Sequence, residues 1–367
     1  MYGAAPPAML LRFLAAGRGP AGRLASVRAK TRRSKANRRA FYEHEWRHAA
    51  GRCGATVEYL CDDLLEISRG DCRTRVYRNY TQLDDPVTLR LAGNKAAVHR
   101  LLAHRGLPVP DYRVFTLRSL GAAGEFLRQR QGQECVVKPA ANTGGGMGVS
   151  TGVRSRRQLL WSAIVAAAYG PEMLIEVQAR GDNYRLLFLD GDLIDAVTRR
   201  PPHVQGDGRS TIATLLRREN ARRLAQGGRS GEPLITVDAD MKRTLAQHGW
   251  SLRSAPGSGV RVDLKTVVNQ NASVDNEPAI GRVAPAVVRA CAEAAHAVGA
   301  RLAGVDIITP DASRPLAASG GVILEVNTTP SFHVHYRRQQ SDGSCRVAQT
   351  VLDRLLRAEQ ENRIPST

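Results

Sequence analysis

The chain has 367 residues, with 53 Lys plus Arg against 34 Asp plus Glu, a formal net charge of +19 with neutral His. Hydrophobic content of 43% with 24% charged residues belongs to a folded globular protein and excludes a disordered one, and the length predicts two or three packed subdomains. No run of about 18 apolar residues occurs, which excludes a membrane-spanning helix and leaves no membrane partner expected.

The first 50 residues carry eleven Lys or Arg and two Glu, a net +9, and Arg28–Arg39 holds seven of those positive charges. The apolar stretch Ala8–Ala16 is interrupted by Arg12 and has no basic segment before it, unlike a secretory signal. The acid-free, Arg-rich composition matches a transit peptide; a flexible basic tail over 1–40 is the plainer reading and the one expected here. Such a run can hold nucleic acid through counterion release, but no aromatics interleave it as a base-stacking groove needs. Nucleic acid is therefore not the expected partner. Six cysteines lack any CxxC or metal-ligand spacing, as in a reduced, cytoplasmic protein.

Asn37–Cys53 reads as a helix, followed by short alternating strands over 55–60, 64–68 and 74–78, with a turn at Arg69-Gly70-Asp71. Apolar residues at 97, 98, 101 and 102 define a helix over 95–104, stopped by Gly106 and Pro108. A strand at 112–115, a helix at 117–129 and the buried-strand run Glu134-Cys-Val-Val-Lys138 lead to a glycine loop, Asn142-Thr-Gly-Gly-Gly-Met-Gly148. A helix at 156–168 precedes strands at 173–177, 185–189 and 193–198, the last two joined by the hairpin signal Asp190-Gly191. Helices at 209–226, 284–299 and 345–359, with strands at 303–308 and 322–326, complete the chain. Mixed helices and hairpins predict an α+β fold. The expected divisions are the tail, an N-terminal α/β segment at 41–92, and subdomains at 93–175 and 176–360.

The string His44-Glu45-Trp46-Arg47-His48 matches a zinc-protease motif. Its flanks are charged and the position of an extended third ligand is Gly54, so the expectation is a surface helix burying Phe41 and Trp46. The glycine loop fits neither phosphate-loop pattern, yet it follows Lys138 at a buried strand's end, where backbone N–H groups can close around phosphates beside a cation. Lys95 supplies a second cation. In Gly321-Val-Ile-Leu-Glu325-Val-Asn327, Glu325 and Asn327 lie two apart and share a strand face. With Asp306 in the apolar run Ala303–Ile308 they form a hard oxygen set suited to Mg²⁺.

These pieces resemble the ATP-grasp superfamily of carboxylate–amine ligases over about residues 86–336: Lys95, Val136-Val-Lys138-Pro with its loop, Leu174-Ile-Glu176, Asp306 and Glu325-Val-Asn327. Gly181-Asp-Asn-Tyr-Arg185 and Arg199-Arg-Pro-Pro-His-Val-Gln-Gly-Asp-Gly208 are most similar to the ATP-grasp part of cyanophycin synthetases and fused glutathione-synthesising ligases. The resemblance implies two α+β subdomains gripping ATP and a small N-terminal α/β domain. It implies that Lys95 and Lys138 hold the phosphates under a loop containing Gly145, Gly146 and Gly148, that Glu176 and Val177 flank the adenine, and that Asn183 sits at the ribose. Arg185 and Arg199 would face the phosphoryl group and acyl intermediate, and Asp306, Glu325 and Asn327 would bind two Mg²⁺, with Mn²⁺ as a substitute. The implied substrates are an amino-acid or peptide carboxylate, acidic in character given the charge balance, and an amine. A homodimer, a non-catalytic nucleotide-binding protein with this fold and a basic nucleic-acid-binding protein stay open as alternatives. Three departures stand out: Asn183 replaces an acidic residue, Pro330-Ser331 replaces P-G, and Leu264-Lys265-Thr-Val-Val-Asn269-Gln-Asn-Ala-Ser273 lacks the paired glycines of the relatives.

Overall fold

The computed structural model describes residues 20–361 except 269, 273–274 and 337–345, with side chains from 29 to 359. Residues 1–19 of the expected tail, Asn269, Ser273 and Cys345 lie outside the described residues. Within them the basic run is not a tail: one helix, α1 (Pro20–Arg52), takes in all of Arg28–Arg39. Ala, Arg and Lys are strong helix formers, and neither Pro nor Gly interrupts 23–50. Its C-terminal half is held by Phe41, Tyr42 and Trp46, each at most 1% exposed. Burial of each such side chain is worth about 1.5–3 kcal/mol.

These aromatics pack on an antiparallel meander, β1 (Thr56–Cys61), β2 (Leu64–Arg69) and β3 (Cys72–Tyr77), and on α10 (Val347–Glu361). Next come α2 (Pro86–Ala92) and α3 (Lys95–His104). An antiparallel sheet follows in the order β4 (Tyr112–Phe115), β7 (Met173–Val177), β5 (Cys135–Pro139), β6 (Ser150–Val153). One core joins it to α4 (Leu120–Gln129) and α5 (Arg156–Ala167) through Phe126, Leu159 and Ala163.

The second sheet is also antiparallel, in the order β12 (Glu277–Pro278), β9 (Asp192–Arg199), β8 (Asp182–Leu189), β13 (Leu302–Thr309), β14 (Val322–Asn327). Along β8, Leu186 and Phe188 enter the core shared with α3 and α8 (Pro285–Val298), while Leu187 and Leu189 enter the core under α1. Burial on both faces explains the unbroken apolar run of this strand. The turn at Asp190-Gly191 has φ of 50° and 90°, the left-handed pair a tight hairpin requires. Between β9 and β12 an excursion of β10 (His203–Gln205), α6 (Ile212–Ala225), α7 (Ala239–Gln247) and β11 (Arg261–Asp263) builds its own core around Met241, Leu245 and Val262. A short helix, α9 (Leu316–Ser319), precedes β14. Cys135 and Cys291 are fully buried among apolar side chains, and burial pushes the Cys135 thiol up to about 11. Among the described residues no helix is long and apolar enough to cross a membrane.

Candidate active site

The site lies where the two sheets face each other. Lys138 is 5% exposed near the end of β5, its Nζ 2.8 Å from Glu176 Oε1 on β7. The other oxygen, Glu176 Oε2, is buried and has no hydrogen-bond partner among the described residues. Lys95 opens α3, whose N-cap Asn94 accepts from the Ala97 amide at 3.0 Å. A cation there opposes the helix dipole, so the position serves something other than helix stability. Burial holds the Lys95 ammonium below its ordinary value despite the opposing charge of Glu325, 3.9 Å away. Two buried ammonium groups and a helix N-terminus together favour an anion.

Lys95 Nζ also donates to the Thr143 carbonyl at 3.0 Å, tying the glycine loop to α3. Gly145, Gly146 and Gly148 have φ between 66° and 74°. At Gly148 a Cβ would stand 2.8 Å from both Pro139 Cγ and Tyr169 Cδ2, so conformation and space each demand glycine.

On the other sheet Asp306 is the register partner of Arg185 on one side and Glu325 on the other. Arg185 Nε donates to Asp306 Oδ1 at 2.7 Å and a terminal nitrogen donates to Oδ2. Arg199 stands 3.7 Å from Oδ1. Burial pushes the Asp306 carboxyl up, but Arg185, then Arg199, outweigh it and hold the group ionised below the usual range. Burial and the neighbouring Arg185 charge bring Arg199 down to about 10. Asn327 Nδ2 donates to the Gly304 carbonyl at 3.2 Å and lies 3.4 Å from Asp306 Oδ2, which leaves its Oδ1 as an oxygen donor.

The oxygen set fits a divalent cation. Glu325 is a third exposed, and Asp306 Oδ1 accepts one hydrogen bond, from Arg185 Nε, which leaves it a lone pair. Among the described residues no three or more His, Cys, Asp or Glu side chains are grouped to hold a metal. Two carboxylates and an amide oxygen are the kind of set that substrate phosphates complete around Mg²⁺.

One cavity of about 320 Å³ brings together Lys95, Lys138, Gly145, Gly146, Glu176, Asn183, Arg199, Asp306 and Glu325. Gly148 supports the loop from outside this lining, Arg185 stands behind Asp306, and Asn327 lines a neighbouring cleft instead. Val177 is not in the lining: its amide donates to the Asp111 carbonyl, and the residues that reach the cavity are Gln178 and Ala179. Sequence reasoning missed Arg200 and gave no individual role to Thr266–Val268, which also line the cavity. The Thr266 hydroxyl meets Thr151 at 2.8 Å and Asp240 at 2.8 Å, docking the excursion onto β6. The departure of this segment from the relatives' pattern was the available signal. Its neighbour Lys265 is 1% exposed and is paired with Asp238 away from the cavity. The second cleft, about 490 Å³, is lined by Tyr80, Leu89, Arg90 and Asn327–Thr329, and shares Lys95, Thr143, Gly144 and Glu325 with the first. Far from both, His44 and His48 are exposed and stack at 6.2 Å on the surface of α1.

No family model matches the chain. It is similar to a cyanophycin synthetase of Trichormus variabilis, 29% identical over 305 residues, which is 82% of this chain and 33% of that protein. It is 27% identical over 283 residues to the bifunctional glutathione biosynthesis protein of Streptococcus agalactiae, covering 76% of this chain and 37% of the relative. The chain thus spans about a third of the length of the curated relatives it matches. A solved bifunctional glutathione synthetase from Pasteurella multocida superposes with a TM-score of 0.53 at 23% identity, over 83% of this chain and 42% of that one. The two facing sheets, the glycine loop and this superposition show the ATP-grasp fold. The curated proteins it is similar to are cyanophycin synthetases and bifunctional glutathione biosynthesis proteins.

Proposed function

We propose that the chain is an ATP-dependent ligase joining an amino-acid or peptide carboxylate to an amine through an acylphosphate, with release of ADP and phosphate. The observation that carries this reading is the convergence on one cavity of two buried lysines, a glycine loop and a cross-strand pair of carboxylates. The relatives named above support the same reaction type.

In this reading the adenine lies beside Glu176, Gln178 and Ala179. Asn183 Oδ1, buried and without a hydrogen-bond partner among the described residues, accepts from a ribose hydroxyl. Lys95 and Lys138 neutralise the phosphates while the amides of the glycine loop close over them. Asp306, Glu325 and Asn327 would hold two Mg²⁺, or Mn²⁺ in their place, which supply charge neutralisation at the phosphates. The substrate carboxylate oxygen attacks the γ-phosphorus and the bond to the ADP oxygen breaks. The amine nitrogen then attacks the acyl carbon, loses a proton, and phosphate leaves. Arg199 faces the charge that develops at the transferring group, and Arg185 fixes Asp306 from behind. An acidic substrate fits the +19 balance.

The test is phosphate release from Mg-ATP in the presence of pooled amino acids and short peptides. Substrate-stimulated release is expected. ATP binding without any stimulated release across a broad panel would favour a non-catalytic nucleotide-binding protein.

A further inference from the structure

Two features stay outside the reaction derived above: the basic helix α1, and the segment Pro330-Ser331-Phe332-His333 that departs from the relatives' pattern. The fold brings them together. Arg38 of α1 is half-buried, and its guanidinium donates to Ser331 Oγ at 2.9 Å across 293 residues of chain. Unlike its neighbour Arg39, which stands 2.7 Å from Asp63, Arg38 pairs with no carboxylate among the described residues. His333 is 7% exposed, and its Nδ1 has no hydrogen-bond partner among the described residues. Burial, then the charge of Arg38, then Arg199 and Arg185 hold this imidazole well below its ordinary value, so it is neutral. A neutral ring can present one N–H donor.

The segment is built to hold this position. Phe332 is clamped by Trp46 at 5.5 Å and Tyr42 at 5.9 Å between ring centroids. Pro330 seats on Gly304, where a Cβ would lie 3.0 Å from the proline and 3.6 Å from the Arg185 side chain. Gly231 closes the other side, since a Cβ there would stand 2.9 Å from Phe41 and 3.1 Å from His333. The segment therefore runs from the Asp306–Arg185 centre to α1, ending in a hydroxyl, a buried imidazole nitrogen and a guanidinium that has no acid partner among the described residues. A buried nitrogen and a cation that both lack an acceptor or acid among the described residues suit an anionic ligand.

We propose that Arg38, Ser331 and His333 form a carboxylate subsite that holds a second carboxylate of the substrates, the one that is not activated. The subsite rests on the ligase reading above. The reacting carboxylate has to meet the phosphate beside Lys95 and Glu325, whereas Arg38 reaches the chain at Ser331, four residues beyond Asn327. The α-carboxylate of the incoming amino acid or peptide is the group that a planar guanidinium fork fits there.

The test uses the full chain, an amine substrate that stimulates phosphate release, and the same amine with its carboxylate converted to the amide. The wild-type protein is expected to prefer the free acid through KM. Arg38→Gln should raise KM for the free acid about 10- to 100-fold, erase the preference over the amide, and leave ATP affinity unchanged. Arg38→Lys should recover part of the loss. Arg32→Gln, which removes an exposed charge from the same helix, should change none of these quantities. Equal KM values for wild type and Arg38→Gln, or a free-acid preference that survives in the variant, would overturn the subsite while the ligase reading stands. A wild-type protein that binds ATP but releases no phosphate with any amine would remove the ligase reading and the subsite with it.

Discussion

Arg185 holds Asp306 across the second sheet: the two are register partners on β8 and β13, and the guanidinium donates to both carboxylate oxygens, Nε to Oδ1 at 2.7 Å. Both side chains are 8% exposed, and Arg199 shares the same carboxylate. A residue expected as a bare metal ligand is thus also the counter-ion of two buried cations.

Asp306→Asn should for that reason destabilise the fold as well as stop turnover. Removing one partner of a buried pair costs about 3–5 kcal/mol, because the other charge is left uncompensated. Urea unfolding should show a lowered midpoint; a loss under about 1 kcal/mol would contradict the role of Asp306 as counter-ion.

Glu325→Gln is expected to behave differently. Glu325 is a third exposed and its nearest cation, Lys95, is 3.9 Å away, so the fold should keep its circular dichroism and midpoint. Phosphate release should fall by about a thousandfold or more, on the scale of lost transition-state charge stabilisation. Unchanged turnover would refute the metal assignment.

Gly148→Ala tests the loop. A methyl group would press on Pro139 and Tyr169 at 2.8 Å in a backbone with φ of 73°, which costs about 1–3 kcal/mol in strain. The expected result is a KM for ATP raised about tenfold or more, measured by phosphate release at saturating co-substrate. Gly144→Ala, where a Cβ meets nothing within 4 Å, should be milder.

Asp84 gives a pH dependence with a defined sign. Burial pushes its carboxyl up to about 6 from 3.8, against the hydrogen bond it accepts from the Arg301 amide at 2.7 Å. The folded state therefore disfavours the ionised form: the penalty is absent below about 3.8, grows between 3.8 and 6, and is complete above 6. Asp84→Asn keeps an acceptor for Arg301 and should be more stable than wild type at pH 7.5, with the gain shrinking as pH falls to 4. A melting-temperature difference independent of pH would contradict the shift.

Much of the cavity lining was legible because its signals are local. Lys138 ends a run of apolar residues and stands before four glycines in five positions, so strand, cation and loop are read from adjacent letters. The side of the cavity beside Glu176 was less legible. Val177 and Gln178 are neighbours on the chain, and only the bond from the Val177 amide to Asp111 decides that the cavity is met one residue later. The excursion was legible in part: the helix near 209–226 was expected, but β10, β11 and α7 are short or follow Pro- and Gly-rich stretches whose periodicity is weak.

By itself the sequence determined the strand face shared by Glu325 and Asn327, the hairpin at Asp190-Gly191 and the cation that opens α3, since side-chain period and turn chemistry act over a few residues. Only the tertiary structure decided that Asp306 answers to Arg185, 121 residues away, and that α1 carries Arg38 to Ser331. Sheet register and helix docking are set by burying apolar faces far apart in the chain, and that choice is made when the cores close.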